Sequence, residues 1–354
     1  MNRCRLVSAF LGRSIVLGAL VGSIALAACS TSAPPPTTAS QGTAPAPGAA
    51  RAADKITIRL DWLATGYHVP FFVALDRGLF EQNGIEATIG EGRGSAATVQ
   101  AVAAGQETFG MADASVLPRA VQQGAAVKMV AGYQQLNSSG IMFFKDSGIQ
   151  TPKDLEGKQY GDVPGGAQSL LFPAVLKAAG ADISKVTIIT TDAANKDRGF
   201  LQHQYDATLT QLNDSFIKLK AQGQDLGALA YADYGINVLG HGVITSNKLQ
   251  QENPDLVRRF VRSWLQAVQA AQEDPAEAAR IAKQHNPDAP EASIQADMLR
   301  ESLKRMATAN TQGKPPGWMA EADWQQTIDL LLEYGALDQP IAPGQLYTND
   351  FLPS

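Results

Sequence analysis

Cysteine is almost missing from this chain of 354 residues: only Cys4 and Cys29 occur, both ahead of the regular patterning that begins near Lys55. The body therefore has no disulfide, no thiol nucleophile and no cysteine-held iron–sulfur cluster. A basic excess is missing too. Lys and Arg number 29 against 34 Asp and Glu, a net charge of -5 that gives no electrostatic footprint for a nucleic-acid partner. The four histidines, His68, His203, His241 and His285, stand far apart without metal-ligand spacing, so no metal site is expected. The motifs G-x-x-x-x-G-K-[ST], H-E-x-x-H and G-x-S-x-G are absent, and "GEGRGS" at 90–95 departs from G-x-G-x-x-G. No cofactor is expected.

A long apolar run is also lacking. The run "SIVLGALVGSIAL", preceded by Arg3, Arg5 and Arg13, is too short for an ordinary transmembrane helix but has the length of a secretory signal's apolar region. It ends in "LAAC", which resembles the lipobox of bacterial lipoproteins. Residues 1–28 are thus expected to be a lipoprotein signal peptide, with Cys29 the lipidated residue that anchors the protein to a membrane. Residues 29–53, rich in Pro, Ala and Thr and poor in large apolar side chains, cannot build a core and read as a disordered tether. The implied location is extracytoplasmic, at a bacterial membrane.

With 45% apolar residues, the remainder is long enough for two medium domains. Strand-like and helix-like segments alternate, which predicts an α/β architecture with largely parallel sheets. "KITIRL" alternates Ile56, Ile58 and Leu60 on one face; Pro70 suits a first helical turn; Gly78 supplies a left-handed stop; "IEATI" is the next strand. A similar run begins near Thr151, so two comparable halves are expected, followed by helices. Asn253 and Pro254 fit N-cap and N1, Asp274 to Glu277 form a capping-box-like start, and Gly335 is a stop. Trp264 and Trp324 share apolar helical spacing and belong to the core.

A loop that leaves a strand and opens a helix lies at the carboxyl edge of an α/β sheet, where such folds place ligands. Asp61, Trp62, Tyr67 and His68 fall in one such loop. Three further helix-opening turns, around Gly94 and Ser95, Asp113 and Ala114, and Gly165, Gly166 and Ser169, can converge on the same cleft and present unpaired N–H groups. Ser95 is expected as an N-cap. Trp62 and Tyr67 offer stacking surface, Asp61 an acceptor for an exocyclic amine, and His68 either a donor to the ligand or a local hydrogen bond.

"LDWLATGYHVPFFVALDRGLFEQNGIEATI", "GSAATVQAVAAGQETFGMAD" and "WLQAVQAAQEDPAEAA" resemble the family that joins solute-binding proteins of nitrate, sulfonate and taurine ABC importers with the thiamine-pyrimidine synthases. The resemblance covers nearly all of the body. It implies a two-lobed type II periplasmic-binding-protein fold with a hinge of two crossing strands, near Gly140–Lys145 and Leu239–Ser246. Lobe 1 would be 54–142 plus 243–354 and lobe 2 would be 143–242. The D-W-x-x-x-x-x-H-x-P pattern is most similar to the branch that binds thiamine pyrimidine precursors, with Asp61 and Trp62 on a flat aminopyrimidine. In lobe 2 the resemblance adds Gln211, Asn213, Asp214 and Tyr231 to the expected contacts. The implied partners are a small-molecule ligand and an ABC permease with its ATPase, the body itself being monomeric. The alternatives are an anion ligand held by Arg93 or Lys196, and a synthase. The synthase's lysine and histidine fall here on Ala112 and Val116, which weighs against an enzyme.

Overall fold

The computed structural model describes residues 52–353; the expected signal peptide, Cys29 and nearly all of the expected tether lie outside the described residues. Among the described residues no helix is long and apolar enough to cross a membrane. The chain builds two five-stranded sheets. The first holds β1 (Asp54–Arg59), β2 (Ile85–Gly90), β3 (Phe109–Asp113) and β4 (Val127–Gly132), and is completed far later by β10 (His241–Ser246). Its order is β2-β1-β3-β10-β4. The second holds β5 (Ser139–Phe144), β6 (Gln159–Asp162), β7 (Thr187–Thr190), β8 (Ala207–Gln211) and β9 (Leu226–Ala230), in the order β7-β6-β8-β5-β9.

The two orders match position by position. β1 pairs in parallel with β2 and β3, as β6 does with β7 and β8. The fourth strand of each sheet, β10 or β5, runs antiparallel to both neighbours. The sheets are therefore mixed rather than largely parallel. The exception has a simple cause: each antiparallel strand is the first one laid down after the chain passes from one sheet to the other. Those passages lie over 133–138 and 231–240, earlier than the expected 140–145 and 239–246, nearly all of which are β5 and β10 themselves.

Local chemistry explains the element ends. Pro70 occupies the first turn of the helix Val69–Asp76, where its missing N–H breaks no bond. Asn253 Oδ1 accepts from the Leu256 N–H at the start of the helix Pro254–Glu273, and Asp274 Oδ1 accepts from Glu277 N–H at the next. The long helix presses one apolar face onto the first sheet. Phe260 stacks on Phe109 at 3.7 Å and Trp264 on Phe71 at 5.6 Å, while Trp324, equally buried, stacks on Tyr347.

The loop after β1 is fixed by close approach. A Cβ on Gly92 would sit 2.0 Å from the Leu60 carbonyl oxygen, so only glycine lets the turn lie against this strand exit. The Gly92 and Gly94 N–H groups then donate to the Trp62 and Asp61 carbonyls. "GEGRGS" is thus a brace for the Asp61–Trp62 segment. Gly66 meets the helix Ala292–Leu303 in the same way, since a Cβ there would lie 2.2 Å from Met298 Cβ and 2.7 Å from the Gln295 carbonyl oxygen. Substituting Gly66→Ala should force that helix off the loop and cost about 1–3 kcal/mol; urea unfolding of the body checks it, and an unchanged midpoint would contradict this packing.

Candidate functional site

Asp61 is the centre of a buried polar cluster. Its carboxylate leaves β1 into the interior, 4% exposed, and meets two imidazoles. His68 Nε2 donates to Oδ1 at 2.8 Å, while His68 Nδ1 accepts the Thr65 N–H at 3.3 Å, which fixes the tautomer. His241, the first residue of β10, places Nε2 3.0 Å from Asp61 Oδ2 and Nδ1 3.2 Å from Gln134 Oε1. Asp61 Oδ2 and Gln134 Oε1 are acceptors, so His241 can donate from both nitrogens as an imidazolium, with the Gln211 amide nitrogen a further 3.3 Å neighbour of Nε2. The Tyr67 hydroxyl adds a third donor at 3.3 Å, its ring packed on those of His68 and His241.

The electrostatics follow from this geometry. Burial alone would raise the Asp61 carboxyl, but the His241 charge and the hydrogen bonds from His241 and His68 outweigh it and hold the group far below the usual carboxylate range. Burial opposes the His241 cation, yet Asp61, then Asp113 and Asp214, lift its pKa above the ordinary value. Burial raises the Tyr67 phenol strongly, reinforced by the Asp61 and Asp214 charges. Burial also raises Asp113 against the pull of His241, and raises Asp214 against Lys218 and the Thr65 hydrogen bond.

Between the halves built on the two sheets lies a small cavity of about 20 Å³, room for one water. Of the expected residues, Asp61, Trp62, Tyr67, Gly94, Ser95, Gly166, Gln211 and Asp214 line it. Trp62 is half-buried at the rim and, among the described residues, has no ring partner in the protein.

The other expected contacts stand elsewhere, each for a visible reason. His68 is fully buried behind Asp61, with both nitrogens used inside the protein. Asp113 accepts from Ser115 N–H and Oγ and from Asn137 Nδ2, and Ala114 N–H donates to the Gly240 carbonyl, so this turn ties the two passages between the sheets. The Gly165 carbonyl accepts the Ala96 N–H across the cleft, and Ser169 donates to Asp162. Asn213 bridges Ser138 and Ser302, and Tyr231 donates to the Gln168 carbonyl from beneath. Ser95 lines the cavity without capping its helix, whose N-cap is Gly94; its Oγ accepts from Asp113 N–H.

His241, Lys196, Gln168, Thr210 and Ser215 also line the cavity. Lys196, expected only as a partner for an anion, is 1% exposed and directs its ammonium to Asp197 Oδ1 at 2.6 Å, Leu209 O at 3.2 Å and Ser215 Oγ at 3.3 Å. Its signal was present in the sequence: "NKDR" follows the strand β7 just as the Trp62 loop follows β1. His241 had only a weak signal, a polar residue opening an apolar strand run. Arg93 is exposed and does not line the cavity. Among the described residues no group of three or more His, Cys, Asp or Glu is arranged to hold a metal.

Residues 65–278 match the family model described as NMT1/THI5 like. The chain belongs to that family. The riboflavin-binding protein RibY of Chloroflexus aurantiacus is 28% identical over 356 residues, covering 96% of this chain and 98% of the relative. The formylaminopyrimidine-binding protein of Halalkalibacterium halodurans is 23% identical, covering 84% and 91%. The solved alkanesulfonate-binding protein SsuA of Xanthomonas axonopodis pv. citri, bound to MOPS, is 18% identical with a TM-score of 0.66, covering 84% of this chain and 99% of that one. This NMT1/THI5-like chain therefore has the periplasmic-binding-protein fold expected from its sequence.

The charge pair sets a pH dependence. His241 holds its proton more tightly folded than unfolded, so its contribution is full below about 6.5 and is lost as pH rises through its raised folded pKa. Asp61 is depressed, so its contribution is present above about 3.8 and is lost as pH falls. The Tm difference between the natural protein and His241→Gln should be largest between those values and shrink as pH rises; a difference independent of pH would contradict a charged His241.

Proposed function

We infer that the protein is the extracytoplasmic solute-binding component of an ABC importer, held to the membrane through a lipidated Cys29, and that it closes on a small planar nitrogen heterocycle. The observation that carries the ligand class is the composition of the interlobe wall. It offers the unpaired ring of Trp62 and the carboxyl group of Asp214, while the His241 charge is paired with Asp61 and Lys196 has all three donors directed to protein acceptors. Such a wall suits a flat ring carrying N–H or amine donors and leaves an anion no uncommitted cation to pair with. The sulfonate and nitrate reading is disfavoured on that ground, Arg93 being exposed outside the cavity.

The relatives described as binding riboflavin and formylaminopyrimidine support a nitrogen heterocycle, and a thiamine pyrimidine precursor fits the Asp61–Trp62 pair. Binding rather than catalysis is the mechanism. The synthase positions are the buried apolar Ala112 and Val116, which form no imine and supply no ring atoms. Ligand that touches both lobes favours the closed form, and a permease with its ATPase reads that closure. Interlobe bonds already present, Thr65 Oγ1 to Asp214 Oδ1 at 2.7 Å and Asn213 Nδ2 to Ser302 Oγ at 2.7 Å, define where the lobes meet.

Thermal unfolding of the body against formylaminopyrimidine, hydroxymethylpyrimidine, riboflavin, alkanesulfonates and nitrate tests this. A heterocycle at a hundred times its Kd should stabilise by about 2.7 kcal/mol. Trp62→Ala should weaken it about tenfold through lost stacking and burial. Stabilisation by sulfonate or nitrate alone would sink the reading.

A further inference from the structure

A second, much larger cavity adjoins the first. It measures about 740 Å³ and shares Trp62, Asp214 and Ser215 with the interlobe cavity, so those side chains form part of the wall of both. Its volume is that of a small-molecule pocket, whereas the inner one holds a single water. Its far wall is the turn Ala193–Ala194 and the helix Lys196–Leu201 of the second lobe.

Resting on the heterocycle reading above, we propose that the natural ligand is a ring bearing a neutral hydroxylated side chain, the ring edge read at Asp61 and Trp62 and the chain lying in this outer chamber. The chamber's chemistry sets the character of that chain. Four carboxyl groups, on Glu91, Asp197, Asp214 and Asp288, line it against two cations, Arg198 and Lys218. Lys218 pairs with Asp197, which also takes the Lys196 ammonium, so Arg198 alone stands against Glu91, Asp214 and Asp288. Glu91 accepts from the Ala64 N–H at 2.8 Å and Asn286 Nδ2 at 3.0 Å, fixing the lip. Ser215, Gln202 and Gln222 supply polar groups of both kinds beside the apolar Leu63, Leu201 and Leu219. A chain of hydroxyls can donate and accept by turns along such a wall, whereas a phosphate meets an excess of carboxyl groups. A bare aminopyrimidine would leave the chamber unfilled.

The test is a titration of the body with riboflavin, with lumichrome (the ring system without the ribityl chain) and with riboflavin 5′-phosphate, repeated on Ala194→Trp. Ala194 is exposed on the chamber wall and does not line the interlobe cavity, so the substitution narrows the chamber and leaves Asp61 and its partners in place. Riboflavin should bind at least tenfold tighter than lumichrome, and the phosphate ester at least tenfold weaker than riboflavin. In Ala194→Trp the advantage of riboflavin should vanish while lumichrome binds as before. Equal affinity for riboflavin and lumichrome, or an advantage that survives Ala194→Trp, would overturn the proposal and leave the heterocycle reading standing. Aminopyrimidines binding where riboflavin does not would do the same. If no ring compound binds at all, both readings fall together.

Discussion

The pairing of one buried carboxylate with imidazoles from two distant parts of the chain is the interaction on which the first lobe's cleft wall depends. Asp61 sits where β1 ends, His68 where the next helix begins, and His241 where the chain returns to the first sheet 180 residues later. A carboxylate taken out of water without partners would be costly, and removing one partner of a buried pair typically costs about 3–5 kcal/mol. The strand exit, the helix start and the returning strand are thereby held in one relative position. Trp62, the adjacent residue, inherits that rigidity and presents its ring at the rim of the cavity.

Most of the architecture was legible in the sequence because it is written locally. Alternation in "KITIRL", Pro70 at a helix start, and the caps at Asn253 and Asp274 need only neighbouring residues to be recognised. What could not be read is contact between segments far apart. The glycine turns were expected to cradle a ligand with free N–H groups, but Ala96 N–H and the Gly165 carbonyl satisfy one another across the cleft, and Asp113 and Ala114 brace the passages. His241 shows the same limit, since its role comes from Asp61 and Gln134 and nothing adjacent in sequence announces them. The mixed direction of the sheets escaped for a related reason: strand periodicity is the same for parallel and antiparallel partners.

Site chemistry was half visible. Residue type pointed to Asp61, Trp62 and Tyr67 through the ligand-edge rule, and these do line the cavity. Which groups remain available is a matter of hydrogen-bond accounting that only coordinates supply. Lys196 would favour an anion if its ammonium were free; committed to Asp197, Leu209 and Ser215, it instead neutralises the second lobe's own carboxylate.

The placement of β10 between β3 and β4 has a consequence for how the chain comes to be folded. Synthesis runs from the N-terminus, so β3 and β4 are made long before the strand that joins them, with the whole second sheet intervening. Until residue 246 has emerged, both present bare edges whose amide groups are open to pairing with other chains. In the second sheet the equivalent strand, β5, is made first, and its neighbours assemble onto it in turn. A nascent chain thus has a second lobe able to form as it is made and a first lobe that must wait, its open edges needing protection until His241 arrives.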